Sequence, residues 1–156
     1  MMIGRIISGG QTGADQGALD FAIKHGIRHG GWIPKGRKTE DGILPEKYHL
    51  KEMPTTSYPK RTEKNIKVSD GTIIFSRGKL TGGSALTRKI AKQQFKPRLH
   101  IDLDKMNEAE AAQSIRVWID EQGVQMLNVA GPRASKDPGI HDIVMGIFEN
   151  VFKGAA

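Results

Sequence analysis

The sequence predicts an α/β, three-layer Rossmann-like fold, with a mainly parallel sheet of about five strands and helices on both faces. Three observations carry this. Short apolar runs recur along the chain, each followed by a loop rich in Gly, Ser and Thr and then by residues with helical spacing. No internal repeat or low-complexity segment competes with that rhythm. The chain has 156 residues, and a domain of ~150 residues buries about 68–70% of its unfolded surface. One ligand-binding domain over residues 1–156 is therefore expected.

Ile3 to Ile7 is the first apolar run. A helix follows over Ala14 to His25, with Ala14, Ala18, Phe21 and Ala22 on one side and Gly26 as its stop signal. His29 to Ile33 reads as a weaker strand, because Gly30-Gly31 interrupts it. Lys35 to Lys67 breaks the rhythm, with weak periodicity and several prolines. It is longer than the ~12–15 residues of a plain connection, and Trp32, Tyr48 and Tyr58 are in place to anchor it as an ordered flap. Gly71 to Phe75 is the next strand, and Gly82-Gly83-Ser84 opens a helix carrying Leu86, Ile90 and Ala91. Arg98 to Leu103 alternates as a strand, and Asn107 to Gln122 spaces Ala112, Ile115, Trp118 and Ile119 along one helical face. Val124 to Val129 is the last strand. The final helix has the clearest period: Ile140, Ile143, Val144, Ile147, Phe148 and Val151.

Composition excludes several chemistries. With no cysteine, disulfides, thiolate metal sites and cysteine nucleophiles are ruled out, and a reducing, cytoplasmic setting is expected. No stretch approaches the ~18 apolar residues of a membrane helix, and the opening residues lack the pattern of a signal peptide. Lys and Arg number 24 against 17 Asp and Glu, a net charge of +7. That excess suits an anionic partner. No zinc finger, RNP aromatic motif or basic region with heptads marks a specific nucleic-acid reader. The five histidines show no metal-ligand spacing, and no protein-built metal site is expected.

In an open parallel sheet, ligands sit beyond the carboxyl ends of the strands, where helix N-termini present free N–H groups and a favourable dipole to anions. Three loops have the required strand-loop-helix context. In the first, Ser8-Gly9-Gly10-Gln11-Thr12-Gly13-Ala14-Asp15, the glycines allow close backbone approach while Ser8, Gln11 and Thr12 add donors. Asp15 favours the dipole of the first helical turn and suits a ribose hydroxyl or a cation, but it repels a phosphate. The second loop offers Gly82, Gly83, Ser84 and Thr87. The third offers Gly131 and Arg133, the latter suited to bidentate anion binding. From the flap, Lys35, Arg37 and Arg61 are candidates to close on the ligand. Read separately, the first loop is the most specific and favours binding over a tight turn with helix-capping residues, the second is as well read as a plain turn, and each cation as a solvated surface charge; their expected convergence favours the binding reading.

At Ser8-Gly9-Gly10-Gln11-Thr12-Gly13-Ala14-Asp15 the chain resembles the molybdenum cofactor carrier family, circularly permuted YpsA-like members of the LOG-like Rossmannoid superfamily. The resemblance continues through Gly30-Gly31-Trp32-Ile33-Pro34-Lys35-Gly36-Arg37 and Glu40-Asp41-Gly42. It extends to Arg61-Thr62, Asn65, Ser69-Asp70-Gly71-Thr72, Gly82-Gly83-Ser84 and Asn128-Val129-Ala130-Gly131-Pro132-Arg133. Gln16 stands where relatives commonly carry an arginine.

The resemblance implies a Rossmann-like fold and a carrier role for molybdenum cofactor (molybdopterin), a phosphorylated pterin. The expected function is thus a binding or carrier protein for an anionic phosphorylated small molecule, molybdenum cofactor or a nucleotide-like ligand. A homo-oligomer is compatible with this, and no membrane partner is expected. The alternative is a LOG-like nucleoside monophosphate phosphoribohydrolase. It ranks lower because Thr81 to Arg88, the stretch comparable to the relatives' catalytic loop, carries no glutamate to assist the reaction. Catalytic residues are therefore unassigned.

Overall fold

Period-two alternation within the apolar runs decides which helix covers which face of the sheet. The computed structural model describes residues 3–153, so residues 1–2 and 154–156 of the expected domain lie outside the described residues. In chain order the elements begin with β1 (Arg5–Ser8), α1 (Ala14–Lys24), β2 (Arg28–Gly30) and β3 (Trp32–Ile33). Next come β4 (Lys38–Thr39), β5 (Gly42–Ile43), β6 (Lys51–Glu52), α2 (Tyr58–Lys67) and β7 (Gly71–Ser76). The chain continues through α3 (Gly82–Gln93), β8 (Arg98–Asp102), α4 (Glu108–Gln122), β9 (Met126–Ala130) and α5 (Ile140–Val151). The main sheet has five strands in the order β2-β1-β9-β7-β8, and every neighbouring pair is parallel.

Register aligns Ile6 with Leu127, Val129 with Ile73, and Ile73 with Leu99 across one face. That face packs against α1, α4 and α5 in the main core, which includes the buried Phe21, Phe75, Ile115 and Phe148. Residues of opposite parity, among them Thr72, Asn128, Ser76 and His100, point to the other side. There the covering helices α2 and α3 contribute only a small buried cluster of Ile66, Ile90 and Ala91, with Leu86 against it. One face is thus a fully packed wall, and the other keeps a polar floor under a thinner cover.

Local signals set the ends. Asn107 and Glu110 form a reciprocal capping box on α4, and Gly123 closes that helix at φ 64°. The strand expected over residues 29–33 is divided. β2 joins the main sheet, while β3 pairs with β6 in a separate two-stranded ladder. Gly31 makes the division possible: its φ is 131°, and a Cβ there would overlap the Ser8 carbonyl oxygen.

The flap is ordered, as expected, but it also contains α2. That helix has little apolar periodicity, with Ile66 its one buried hydrophobe, and it starts at Ser57, whose hydroxyl accepts from the Lys60 N–H. Leu19, Ile33, Leu44, Tyr48 and Leu50 form a core of their own between α1 and the flap. The Tyr48 hydroxyl donates to Asp20 at 2.7 Å. The buried Asn65 side chain meets the Trp32 backbone from both sides, accepting its N–H at 2.8 Å and donating to its carbonyl at 3.1 Å. An amide side chain here replaces a missing strand neighbour and fixes α2 against β3.

Gly31→Ala is expected to lower the unfolding free energy by roughly 2–4 kcal/mol, because the left-handed backbone and the close approach to Ser8 both exclude a side chain. A urea unfolding midpoint unchanged from wild type would contradict this.

Candidate functional site

The chain leaves β1 toward β2 on one side of the sheet and β7 toward β8 on the other, with β9 between them. A crevice opens beyond the carboxyl ends of strands at such a point. It forms a cleft of about 540 Å³, walled by α2 on one side and by the start of α3 on the other. All three glycine-rich loops reach it, with Gly9, Gln11 and Asp15 from the first, Gly83, Ser84 and Thr87 from the second, and Gly131 and Arg133 from the third.

The first loop commits much of its hydrogen-bonding capacity within the protein. The Ser8 hydroxyl donates to the Asp15 carbonyl at 3.0 Å. Gly10, at φ 78°, packs under Leu50 and Leu44 of the flap. Gly13, at φ 83°, lies so close to the Pro132 carbonyl that no side chain fits. At the start of α1, the Ala14 N–H is taken by the Pro132 carbonyl at 3.0 Å and the Gly17 N–H by Gly13 at 2.9 Å. Ser8, Gly10, Thr12 and Gly13 therefore build the loop without lining the cleft.

Asp15 faces the cleft from this loop and is only 8% exposed. Burial pushes its carboxyl up to about 6, against the opposing pull of the Arg61 guanidinium and of the Gln11 and Gly9 N–H groups. Its Oδ2 accepts the Gln11 N–H at 3.2 Å. Arg61, on α2, donates from Nη1 to the Gly9 carbonyl at 2.7 Å, and its own ionisation is shifted down by burial, with Asp15 opposing. A Cβ at Gly9 would displace that guanidinium from its present place.

The second loop is different. Thr81 occupies the N-cap of α3 without a side-chain capping bond, and the first turn carries no acidic residue. Gly82 takes φ 52° and lies outside the cleft lining, whereas Gly83 and Ser84 form its wall. The Thr87 hydroxyl donates back to the Gly83 carbonyl at 2.9 Å. The backbone amides of this turn and the positive end of the helix dipole are thus presented at the cleft.

In the third loop Gly131 packs on α1, where a Cβ would lie 2.7 Å from that of Ala14. Arg133 is half exposed at the cleft, with Nε 3.7 Å from Glu40 Oε2. Of the flap cations, Arg61 alone of the three named from the sequence reaches the cleft. Arg37, at φ 54°, turns into the flap and donates to the carbonyls of Leu50 at 2.9 Å and Tyr48 at 3.2 Å. Lys35 is exposed on the flap, its N–H bonded to the Thr55 carbonyl at 2.9 Å. Both lie outside the cleft lining, and Arg61 on α2 supplies the flap's charge there instead.

Two features escaped the sequence reading. The Glu40 carboxylate, in the turn between β4 and β5, accepts from the Thr12 hydroxyl, the Ser135 N–H at 2.9 Å and the Ser135 hydroxyl at 2.6 Å. The two hydroxyls and that N–H, with Arg133, hold it below the ordinary carboxylate range. On the floor, Asn128 donates to Thr72 Oγ1 at 3.2 Å, and the Ser76 hydroxyl meets both the Gly78 carbonyl and His100 Nε2 at 2.6 Å. Polar residues at inward positions of otherwise apolar strands were the available signal for the second. For Glu40 the signals were a turn sequence, Thr39-Glu40-Asp41-Gly42, and the resemblance that runs through Glu40-Asp41-Gly42, neither of which points to its partners.

Among the described residues, no group of three or more His, Asp or Glu side chains is disposed to hold a metal ion. None of the helices among those residues is long and apolar enough to cross a membrane.

No curated protein matches the chain. Among solved structures, a "Putative molybdenum carrier protein" from Syntrophus aciditrophicus SB is 58% identical with a TM-score of 0.94, over 96% of this chain and 94% of that one. A further structure, (E)-4-hydroxy-3-methyl-but-2-enyl diphosphate reductase, is 15% identical with a TM-score of 0.41, over 94% of this chain and 59% of its own. The Circularly permutated YpsA SLOG family matches residues 6–152. That match takes in the sheet, the flap and all three loops, and the chain belongs to the circularly permutated YpsA SLOG family.

Proposed function

We propose that this protein binds and carries a phosphorylated small molecule in the cleft, with molybdenum cofactor or a nucleotide-like compound as the cargo. The observation that carries the reading is the start of α3: an uncapped turn of Gly83 and Ser84 facing the same cleft as the Arg61 and Arg133 guanidiniums. A phosphate seated there would meet backbone N–H groups and a helix dipole, in a cleft that two forked cations also line. A cleft of about 540 Å³ lies within the ~300–1,000 Å³ typical of small-molecule sites. The exposed ring of Tyr58 at its edge offers a flat surface to a pterin or purine. The Syntrophus relative is named as a molybdenum carrier, which supports a molybdenum-containing cargo among these. With no cysteine in the chain, the cytoplasm is the compartment we favour, and residues 1–156 act as a single binding domain.

One observation favours a second reading. A buried carboxyl with its ionisation raised to about 6, as at Asp15, suits general acid–base work on a nucleoside monophosphate. Release of ribose 5-phosphate from AMP, abolished in Asp15→Asn, would replace the carrier reading with the hydrolase.

Ser84→Asp separates anion binding from folding. A carboxylate in the first turn favours the helix dipole, so thermal stability is expected to hold or rise slightly. Calorimetric binding of AMP is expected to weaken by at least about tenfold, as the new charge repels phosphate at the amide-rich turn. Undiminished affinity would refute this placement.

Asp15 gives a pH signature. Its carboxyl titrates at about 6 in the folded protein against an ordinary value of 3.8, so the folded state holds the proton more tightly than the unfolded chain. Its contribution to stability is full below about 4 and is lost as pH rises through about 6, amounting to up to about 3 kcal/mol. Binding of sulfate, a dianion throughout this range, is expected to tighten as pH falls from 7.5 to 5.5. In Asp15→Asn this component of both trends disappears. Equal slopes in the two proteins would contradict the assignment.

A further inference from the structure

The donors around Glu40 belong to separate segments, and they converge on one carboxylate. Thr12 contributes its hydroxyl from the first loop, while Ser135 contributes its backbone N–H at 2.9 Å and its hydroxyl at 2.6 Å from the third. Arg133 leans in with Nε at 3.7 Å. An amide, two hydroxyls and a guanidinium on two oxygens is the donor set of an oxyanion receptor. The carboxylate filling it comes from a hairpin at the surface, where Gly42 and Ile43 are exposed.

Two residues belong to this receptor and to the cleft alike. Arg133 lines the cleft and reaches Glu40. Gln11 lines the cleft and, through Oε1, accepts the N–H of Glu40 at 2.9 Å and that of Thr12 at 3.0 Å. The receptor therefore adjoins the cleft at its Arg133 end.

The turn carrying Glu40 is held by bonds of its own. It closes on itself through Thr39, whose hydroxyl donates to the Gly42 carbonyl at 2.8 Å and accepts the Asp41 N–H at 3.1 Å. Release of Glu40 leaves those bonds intact. The 3.7 Å separation from a half-exposed Arg133 is loose for a charged pair, so the guanidinium is free to turn toward another anion.

Resting on the reading that the cleft binds phosphate, the geometry points to a second anion subsite, formed by Thr12, Arg133 and Ser135, in which the Glu40 carboxylate stands in for an anionic group of the ligand. The ligand class is then a compound with two linked anionic groups, such as a nucleoside diphosphate. One phosphate sits at the start of α3 and the next displaces Glu40. Exchange of one oxyanion for another leaves every receptor donor satisfied in both states, so desolvation does not oppose it. A monophosphate leaves the hairpin in place.

The test is calorimetric titration of the full chain with AMP and with ADP, comparing wild type, Glu40→Gln and the charge control Asp41→Asn. Glu40→Gln is expected to tighten ADP by about tenfold and to leave AMP within about twofold, while Asp41→Asn changes neither ratio. Amide hydrogen exchange at residues 38–43 of the wild type is expected to accelerate with ADP and not with AMP. Should Glu40→Gln melt early, Glu40→Asp supplies an independent measurement: the shorter side chain keeps the charge but loses reach to the Ser135 hydroxyl, so ADP is expected to tighten by about threefold with AMP spared.

Equal effects on both nucleotides, a matching gain in Asp41→Asn, or slower exchange of the hairpin with ADP would overturn the subsite. In those cases normal AMP binding would leave the phosphate-binding reading standing. Failure of every variant to bind either nucleotide would remove both.

Discussion

The contact between Arg61 and the first loop organises the site. A guanidinium from α2 reaches the Gly9 carbonyl and compensates part of the burial of Asp15. This single placement ties the flap to the end of β1, fits against the bare backbone of Gly9, and puts a cation where the cleft begins. It also balances two charges that would each be costly alone away from water. Asp15 keeps its N–H partner and Arg61 its carbonyl, so neither is stranded. The same pairing sets the electrostatics offered to a ligand, because the net charge of the pair depends on whether Asp15 holds a proton.

The cleft exists because the two faces of the sheet are unequal. On one side, α1, α4 and α5 interlock with aromatic and branched residues into the main core. On the other, α2 and α3 share a small apolar contact, and the strands beneath carry Thr72, Asn128 and Ser76. A thin cover on a polar floor leaves room for a ligand, whereas a packed wall holds the strand ends in register. The flap has a core of its own around Leu44 and Leu50, with the Asn65 side chain taking the place of a strand neighbour for Trp32. An irregular segment thereby becomes a fixed wall of the site.

Similar glycine loops do different work here. The loop after β1, most distinctive in sequence, is drawn tight against Pro132 and the flap, and it sends only Gly9, Gln11 and Asp15 to the cleft. The loop after β7 is ordinary in sequence yet presents a helix start free of any side-chain cap. Loop composition records the ability of the backbone to approach something closely. Whether that something is a ligand or another strand of the same protein is decided by neighbours distant in the chain.

Much of the architecture was legible from local pattern. Among the described residues, the apolar runs and helical stripes identified all five strands of the main sheet and four of the five helices, because burial on a sheet face or helix stripe imposes its period on consecutive residues. The stop residue Gly26, which takes φ 67° just past α1, acts within one turn and was equally readable. α2 was not, since it is held by Arg61 and Asn65 rather than by an apolar stripe. Nor could spacing reveal that Arg37 turns into the flap while Arg61 turns out of it, or that Glu40 meets Ser135. Those outcomes depend on which backbone groups remain unsatisfied after distant segments meet. By itself the sequence determined the alternation of elements and the loops from which a site is built, because these follow from local periodicity and backbone freedom. Tertiary structure alone decided which polar groups face the cleft, because hydrogen-bond partners are allotted only once the chain has closed around them.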